Sequence, residues 1–459
     1  MAAMDADERR RRGAWETPPA LVERVVARAL DGLGPARLVV DPACGDGRFL
    51  AAVGGGARLV GVDVDADALA TARAVVPHAE LVHGDALAVP LPGGADLVVA
   101  NPPFLSQLSA ATSRRGASAL GGGAYADTAA LFVLRALSLV RPGGRVAMVL
   151  PASFLAARDA ADVRAKVLAE AALTELWWAG AAVFDAAVDT CVVVLVQGAV
   201  QGDVRVWHGP SWNDGGLVDG ADLRARPTWS HLLAGAAGVP GGIGATAGTL
   251  GALADTTAGF RDHYYGLAPF VHDGPRPGWP ALVTSGLLDV GRCAWGERPA
   301  RFHRRRLDAP VVDVDGLTRD GTARVAAWVA GRRRPKVLLA TQTKVLEAAV
   351  DAAGDWVPSV PVVSVEPHDP ADVWRVGAVL CSPSASAWAA TTYLGAGLSP
   401  GAVKLSASQV LEVPLPARRW DAAADALRAG DVAGCARKMQ AAYEADPAVL
   451  AWWERLSGR

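Results

Sequence analysis

Residues 38–63 read LVVDPACGDGRFLAAVGGGARLVGVD, and the fold turns on them. Leu38, Val39 and Val40 form an apolar run that ends on Asp41, the pattern of a buried strand. Pro42 then breaks it. Gly45 and Gly47 supply a turn that tolerates positive φ and lets the backbone approach a ligand. From Gly47 the chain takes up helical spacing, and ARLVGVD is a second strand that closes on Asp63. Strand, glycine turn, helix and strand make a parallel β-α-β unit with an acid at the end of each strand.

The same alternation runs in both directions from there. Pro18 and Pro19 open a helix over 18–33, with Leu21, Val22, Val25, Val26 and Leu30 on one face. AELVHGD (79–85) and DLVVAN (96–101) are further strands, TAALFVLRALSLV (128–140) a helix and GRVAMVLP (144–151) a strand. LTELWWAG (173–180) and DTCVVVLVQ (189–197) read as two closing strands with no long helix between them. The fold class this predicts is α/β, a doubly wound sheet over residues 1–200. Residues 201–251, which include GVPGGIGATAGTLG, read as a Gly-rich connector. Short strands and loops over 252–416 form a mixed α+β region, and 417–459 a helical C-terminal extension.

Composition narrows the partners. The formal net charge is −2, so the balance alone does not announce a nucleic acid. Basic residues nevertheless cluster in ERPARFHRRR (297–306) and GRRRPK (331–336). No apolar run approaches the roughly 18–20 residues of a membrane span, and the start, MAAMDADERRRR, lacks the apolar core of a signal peptide. A cytoplasmic protein without a membrane partner is the expectation. Five scattered cysteines with no C-x-x-C pair argue against a disulfide framework and a structural zinc site, and no metal is expected. The 12 Trp residues beyond position 200 read as core rather than as wedges between bases.

Three acids end three successive strands: Asp41, Asp63 and Asp85. Asp63 is placed to accept hydrogen bonds from ribose hydroxyls, and Asp85 to meet an adenine amino group. A dinucleotide site would want G-x-G-x-x-G and a helix N-terminus free for pyrophosphate. Here the turn is C-G-D-G-R-F, with acids where a phosphate would be repelled. A cationic sulfonium cofactor, S-adenosyl-L-methionine, suits them better. The fourth strand runs into Asn101-Pro102-Pro103-Phe104. Two prolines stop a strand and hold the carboxamide and the Pro102 carbonyl as fixed acceptors beside an aromatic ring.

With that tetrapeptide the sequence resembles the amino-methyltransferases whose fourth motif is (D/N/S)-P-P-(Y/F). Within them it is similar to the gamma class of S-adenosylmethionine-dependent DNA adenine-N6 methyltransferases of restriction–modification systems. GAWETPPALVERVV (13–26), DPACGDGRFL, GVDVDADAL, GDAL, RPGGRVAMVLPASFL (141–155) and AGAAVFDAAVDTCVVVLV (179–196) match its motifs in order. The resemblance implies a class I, Rossmann-like sheet followed by a target-recognition domain over 252–416. It implies that Glu16, Thr17, Pro18, Asp41, Ala43, Gly45, Gly47, Asp63, Val64, Asp85, Ala86 and Asn101 bind the cofactor. Asn101, Pro102, Pro103 and Phe104 would be catalytic, with Phe104 and Phe184 stacking on a flipped adenine. LADTTAGFRDHYYGL, RRPKVLLATQTK and AVKLSASQVLEVPLP resemble target-recognition segments more faintly. On that basis Arg301, Arg304, Arg305, Lys336 and Lys404 are the candidate contacts to double-stranded DNA.

A cognate restriction endonuclease encoded separately is the further partner implied. About a dozen residues precede the Thr-Pro motif and no E-x-K triplet occurs, so no DNA cleavage is expected from this chain alone. The alternatives are an RNA or protein-glutamine methyltransferase, or a non-catalytic DNA-binding subunit of a restriction or defence system.

Overall fold

A computed structural model describes residues 16–104, 127–181, 183–184, 188–259, 261–397 and 399–458. The chain forms two compact units. The first comprises residues 1–237 with 395–401, the second 238–394 with 402–459.

The first unit is built on a nine-stranded sheet: β1 (Leu38–Asp41), β2 (Arg58–Asp63), β3 (Glu80–His83), β4 (Ala95–Ala100), β5 (Val140–Pro151), β6 (Ala171–Trp178), β7 (Thr190–Gln197), β8 (Val204–His208) and β9 (Asn213–Val218). Their order is β3-β2-β1-β4-β5-β7-β6-β8-β9. Strands β1 to β5 are parallel, while β7 lies antiparallel between β5 and β6. This is the doubly wound, class I methyltransferase fold, with the two closing strands paired as a short connection requires. Because the order reverses between β1 and β4, the carboxyl ends of those strands open a crevice.

Local chemistry accounts for the elements. In α1 (Pro19–Leu30) a proline opens the first turn, and Leu21, Val22, Val25 and Val26 are buried against the sheet. All six residues of β4 are buried, as a central strand covered on both faces should be. The sheet's lower edge is held by Asp96, which accepts from the backbone N–H groups of Arg37 (2.8 Å) and Leu38 (3.0 Å) and from Arg141 Nε (2.6 Å). Burial opposes its ionisation, but these donors win and hold the carboxyl down at about 2.

The span expected as a connector is partly sheet. Residues 204–218 supply β8 and β9, with Val204 and Val206 buried; the composition of β9, NDGGLV, concealed an edge strand. Helical turns follow at Asp222–Ala225 and His231–Ala234.

The second unit holds two four-stranded sheets. One orders Ala254–Ala258, Val363–Pro367, Lys336–Leu339 and Ala348–Asp351; the other orders Val271–Asp273, Pro310–Val312, Ala281–Val283 and Trp356–Pro358. The C-terminal helices Asp421–Arg428, Val432–Tyr443 and Pro447–Ser457 pack on Val373–Leu380 and Pro383–Tyr393, so they complete this unit's core. Trp420, Trp452 and Trp453 are buried there. Among the described residues no helix is long and apolar enough to cross a membrane.

Candidate active site

At the carboxyl ends of β1 and β2, Asp41 and Asp63 flank the glycine turn. Asp63 accepts from the backbone N–H of Gly45 (2.8 Å) and of Asp65 (2.9 Å), so the second strand end holds the first turn. Burial pushes its carboxyl up against the pull of those donors. Asp41 is completely buried: Oδ1 accepts from the N–H of Ala43 (3.0 Å), and Oδ2 has no hydrogen-bond partner among the described residues. Burial, reinforced by the nearby charges of Asp63 and Asp46, pushes this carboxyl well above its ordinary range. Two desolvated acids with no cation between them among the described residues fit a ligand that brings hydrogen-bond donors and positive charge.

Two glycines do different work in the turn. Gly47 has φ 83°, and a Cβ there would sit 3.0 Å from Val76 Cγ2 and 3.2 Å from Ala72 Cβ, so helix packing excludes a side chain. Gly45 has φ 50° and faces open space. At the next strand end Val64 is 62 % exposed, an apolar surface beside Asp63, and Ala86 is buried. Asp85 is exposed, and its carboxylate accepts from the N–H of Leu87 (2.9 Å). The set of acceptors therefore fits S-adenosylmethionine: acids to accept from its hydroxyls and amino groups, and an apolar residue for the face of a purine.

The N-terminal motif converges on the same edge. Thr17 is buried, and its Oγ1 accepts from Asn101 Nδ2 at 3.0 Å. Arg48, at the start of α2 (Arg48–Val53), donates from Nη1 to the Thr17 carbonyl (2.5 Å), from Nε to Asp46 (2.8 Å) and from Nη2 to Glu16 (3.3 Å). Burial would raise the Asp46 carboxyl, yet the Arg48 guanidinium holds it below the usual carboxylate range. Thr17 thus orients the carboxamide of Asn101, and Arg48 ties the Thr-Pro turn to the glycine turn. Sequence reasoning missed both links; the Gly-Asp-Gly-Arg order was the available signal for Arg48.

Asn101 follows β4 directly, Pro102 is buried, and Pro103 and Phe104 are half-buried. Phe104 and Phe184 do meet, with ring centroids 6.2 Å apart, but at 80°, edge to face. The rings are therefore in contact with each other rather than parallel as the two walls of a base sandwich would be. Residues 105–126, Trp15 of the N-terminal motif and residues 185–187 beside Phe184 lie outside the described residues.

The expected DNA contacts divide. Lys336 is fully buried and ion-paired with Asp351, directly opposite it across the hairpin, so it is no phosphate contact. Its position at the head of an all-buried strand explains the correction: a lysine there needs an internal partner. Lys404, Arg301, Arg304 and Arg305 are exposed, although Arg305 Nη1 donates to the Val271 carbonyl (2.9 Å).

Comparison with known proteins agrees with this geometry. Residues 63–184 match the Eco57I restriction-modification methylase family. A Type II methyltransferase of Thermus thermophilus, M.TthHB8I, is 29 % identical over 295 residues, which covers 61 % of this chain and 66 % of that protein, just under two thirds of its length. The Type IIL restriction-modification enzyme MmeI, solved in complex with DNA, superimposes with a TM-score of 0.63 at 12 % identity, covering 99 % of this chain and 77 % of MmeI, a likeness of fold. Over the matched stretches the chain is similar to methyltransferases of restriction–modification systems.

Proposed function

We propose that this chain methylates the N6 amino group of adenine in double-stranded DNA, using S-adenosylmethionine, on a base turned out of the duplex. The observation that carries the reading is Asn101 at the end of a central parallel strand, its Nδ2 committed to the hydroxyl of buried Thr17. With Nδ2 so held, the carboxamide offers an oxygen as acceptor on its other side. The names of the relatives, which concern restriction–modification enzymes, support DNA as substrate and a restriction activity as its counterpart; that this activity resides on a separately encoded endonuclease is part of the same proposal.

The chemistry then follows from the residues. An adenine amino nitrogen is a poor nucleophile because its lone pair is delocalised into the ring. Asn101 Oδ1 and the Pro102 carbonyl accept its two hydrogens and favour a tetrahedral nitrogen with a localised lone pair. The prolines keep those acceptors fixed, so little reorganisation is needed. When bound, S-adenosylmethionine supplies an electrophilic methyl carbon and leaves as a neutral thioether. No base is required first; the nitrogen loses a proton to solvent after it gains the methyl group. Once Phe104 and Phe184 give up their edge-to-face contact to admit the base, stacking on them returns roughly 1–3 kcal/mol per contact against the cost of unpairing.

Single-molecule sequencing of DNA from cells expressing the chain should reveal one methylated adenine motif. Asn101→Ala should lower the rate by about 10³-fold, the scale of removing a transition-state hydrogen-bond acceptor, with cofactor binding retained. Unmodified DNA alongside labelled RNA or protein would overturn the reading, as would comparable methylation by the variant.

A further inference from the structure

Seven residues far along the chain, Gly395–Gly401, belong to the first compact unit although both flanking stretches belong to the second. Two of the seven touch the active-site edge of the sheet. Gly395 has φ 90°, and a Cβ there would lie 3.0 Å from the Ala152 carbonyl oxygen, so the backbone itself rests on the end of β5. The N–H of Gly401 donates to the Asp189 carboxylate. Leu398, between them, lies outside the described residues.

Asp189 sits where the connection that carries Phe184 returns to the sheet. It precedes β7, its carbonyl accepts from the N–H of Ala152 (2.8 Å), and Pro151 pairs with Thr190. Since Ala100 pairs with Met148, Asn101 and Ala152 leave the same edge on neighbouring strands. The Asp189 side chain is 4 % exposed and accepts from Trp178 Nε1 (2.9 and 3.0 Å), from the N–H of Thr190 and from Gly401. Burial pushes this carboxyl up to about 6. Among the described residues no cation compensates it. A carboxylate kept dry and fed by donors from three separate stretches of chain organises those stretches.

We infer that Asp189 is a positioning residue: it pins Gly401, and with it the stretch beginning at Gly395, against the root of the Phe184 connection, and so fixes the ring on which the flipped base stacks. The role for stacking rests on the proposed DNA reaction; the pin itself does not.

The test uses the full chain with S-adenosylmethionine bound. Hydrogen exchange of a peptide spanning 395–402 should be about tenfold faster in Asp189→Ala and in Gly395→Ala, while peptides over 41–48 and 63–66 keep their protection. The cofactor Kd should change less than about twofold, whereas kcat on DNA carrying the target motif falls about tenfold or more. Because both substitutions break one brace, the double variant should fall little below either single one. Asp189→Asn, which keeps one acceptor oxygen, should lie between wild type and Asp189→Ala. Unchanged exchange at 395–402 would overturn the pin. Parallel deprotection at 41–48 and weaker cofactor affinity would make Asp189 a general structural residue and overturn the positioning role. Faster exchange with unchanged kcat would overturn the link to stacking, and should Asp189→Ala fail to fold, Gly395→Ala gives the same readouts. If DNA is not methylated at all, the exchange result still decides the pin while the substrate reading fails separately.

Discussion

Lys336 and Asp41 are both fully buried charged side chains, one in each unit, and they are treated in opposite ways. Lys336 meets Asp351 across a hairpin, and Asp351 also accepts from the N–H groups of Gly354 (2.9 Å), Asp355 (3.0 Å) and Trp356 (2.9 Å). That cluster is compensated within the fold and needs nothing from outside. Asp41 has one backbone donor, an oxygen without a partner among the described residues, and two further acids nearby. A buried charge whose hydrogen bonds and counter-charge come from the fold holds the fold together, whereas one left with an unpartnered oxygen and acids beside it points to a ligand.

Breaking the balanced cluster should have the largest effect on stability. Lys336→Ala leaves Asp351 buried without its cation, which costs about 3–5 kcal/mol. Denaturant unfolding followed by tryptophan fluorescence should show the midpoint fall accordingly, with cofactor affinity unchanged in whatever fraction remains folded. A destabilisation under about 1 kcal/mol would mean that the backbone donors around Asp351 suffice.

The acids at the strand ends should respond in the opposite sense. Asp63→Asn keeps one oxygen to accept from Gly45 but turns an NH2 toward the N–H of Asp65, so folding stability should fall by about 1–3 kcal/mol, less than at Lys336. On the proposed reading it removes the charge and half the acceptor capacity available to S-adenosylmethionine, whose affinity by calorimetry should then fall about 10- to 100-fold. A large drop in stability with affinity intact would place Asp63 with Lys336 as part of the scaffold.

How much of this is legible before the fold is known follows from the same distinction. Apolar runs ended by Asp41, Asp63 and Asn101 expose the sheet, because strand, turn and helix each write their period locally. The Gly-rich β9 hides, since an edge strand needs few apolar residues and NDGGLV has the composition of a turn. Lys336 reads as surface because its partner is fifteen positions away, yet KVLL and AAVD are both strand-like runs with opposite charges at their paired ends. Thr17 as the support of Asn101, and Asp189 as the acceptor of Gly401, join residues 84 and over 200 positions apart. Periodicity carries no information at that range. Phe184 is reached through family resemblance alone, and its edge-on contact with Phe104 is not written in either ring's neighbours.

Titration offers a gentler test of which acids are uncompensated. Burial raises Asp41, and also Asp127, the N-cap of Thr128–Leu139, which is pushed up to about 6. A carboxyl whose folded pKa exceeds its unfolded one favours the folded chain when protonated. That contribution is complete below the unfolded pKa of about 4 and disappears as pH rises through the folded value. For Asp127 the window runs from about 4 to about 6, and for Asp41 it opens at the same unfolded value and closes at its raised folded one. Cofactor-free protein should therefore gain stability on mild acidification, and Asp41→Asn and Asp127→Asn should each flatten that rise. Identical midpoint-against-pH curves for wild type and both variants would show that neither acid is strained.

The smallest effect is expected at the second unit's uncompensated charge, which lies at the surface. Ala300–Phe302 and Arg305–Leu307 form a hairpin in which Arg301 faces Arg306, and the turn residues His303 and Arg304 both adopt positive φ, at 48° and 62°. No carboxylate pairs with Arg301, Arg304 or Arg306 among the described residues. Like charges across a strand pair and left-handed turn residues that are not glycine each cost stability, so this hairpin is not optimised for folding. Replacing Arg301 and Arg304 by Ser should leave the unfolding midpoint unchanged or slightly higher. It should weaken binding to any duplex a few-fold, and reduce the slope of log affinity against log salt by about 1 for each phosphate no longer neutralised. Lys336→Ala should do the reverse, lowering stability while leaving the salt slope of the folded fraction alone. A salt slope that ignores the hairpin but follows Lys404 would move the phosphate contacts from the arginines to the strand at 403–404, leaving the hairpin's strain to be explained by something other than DNA.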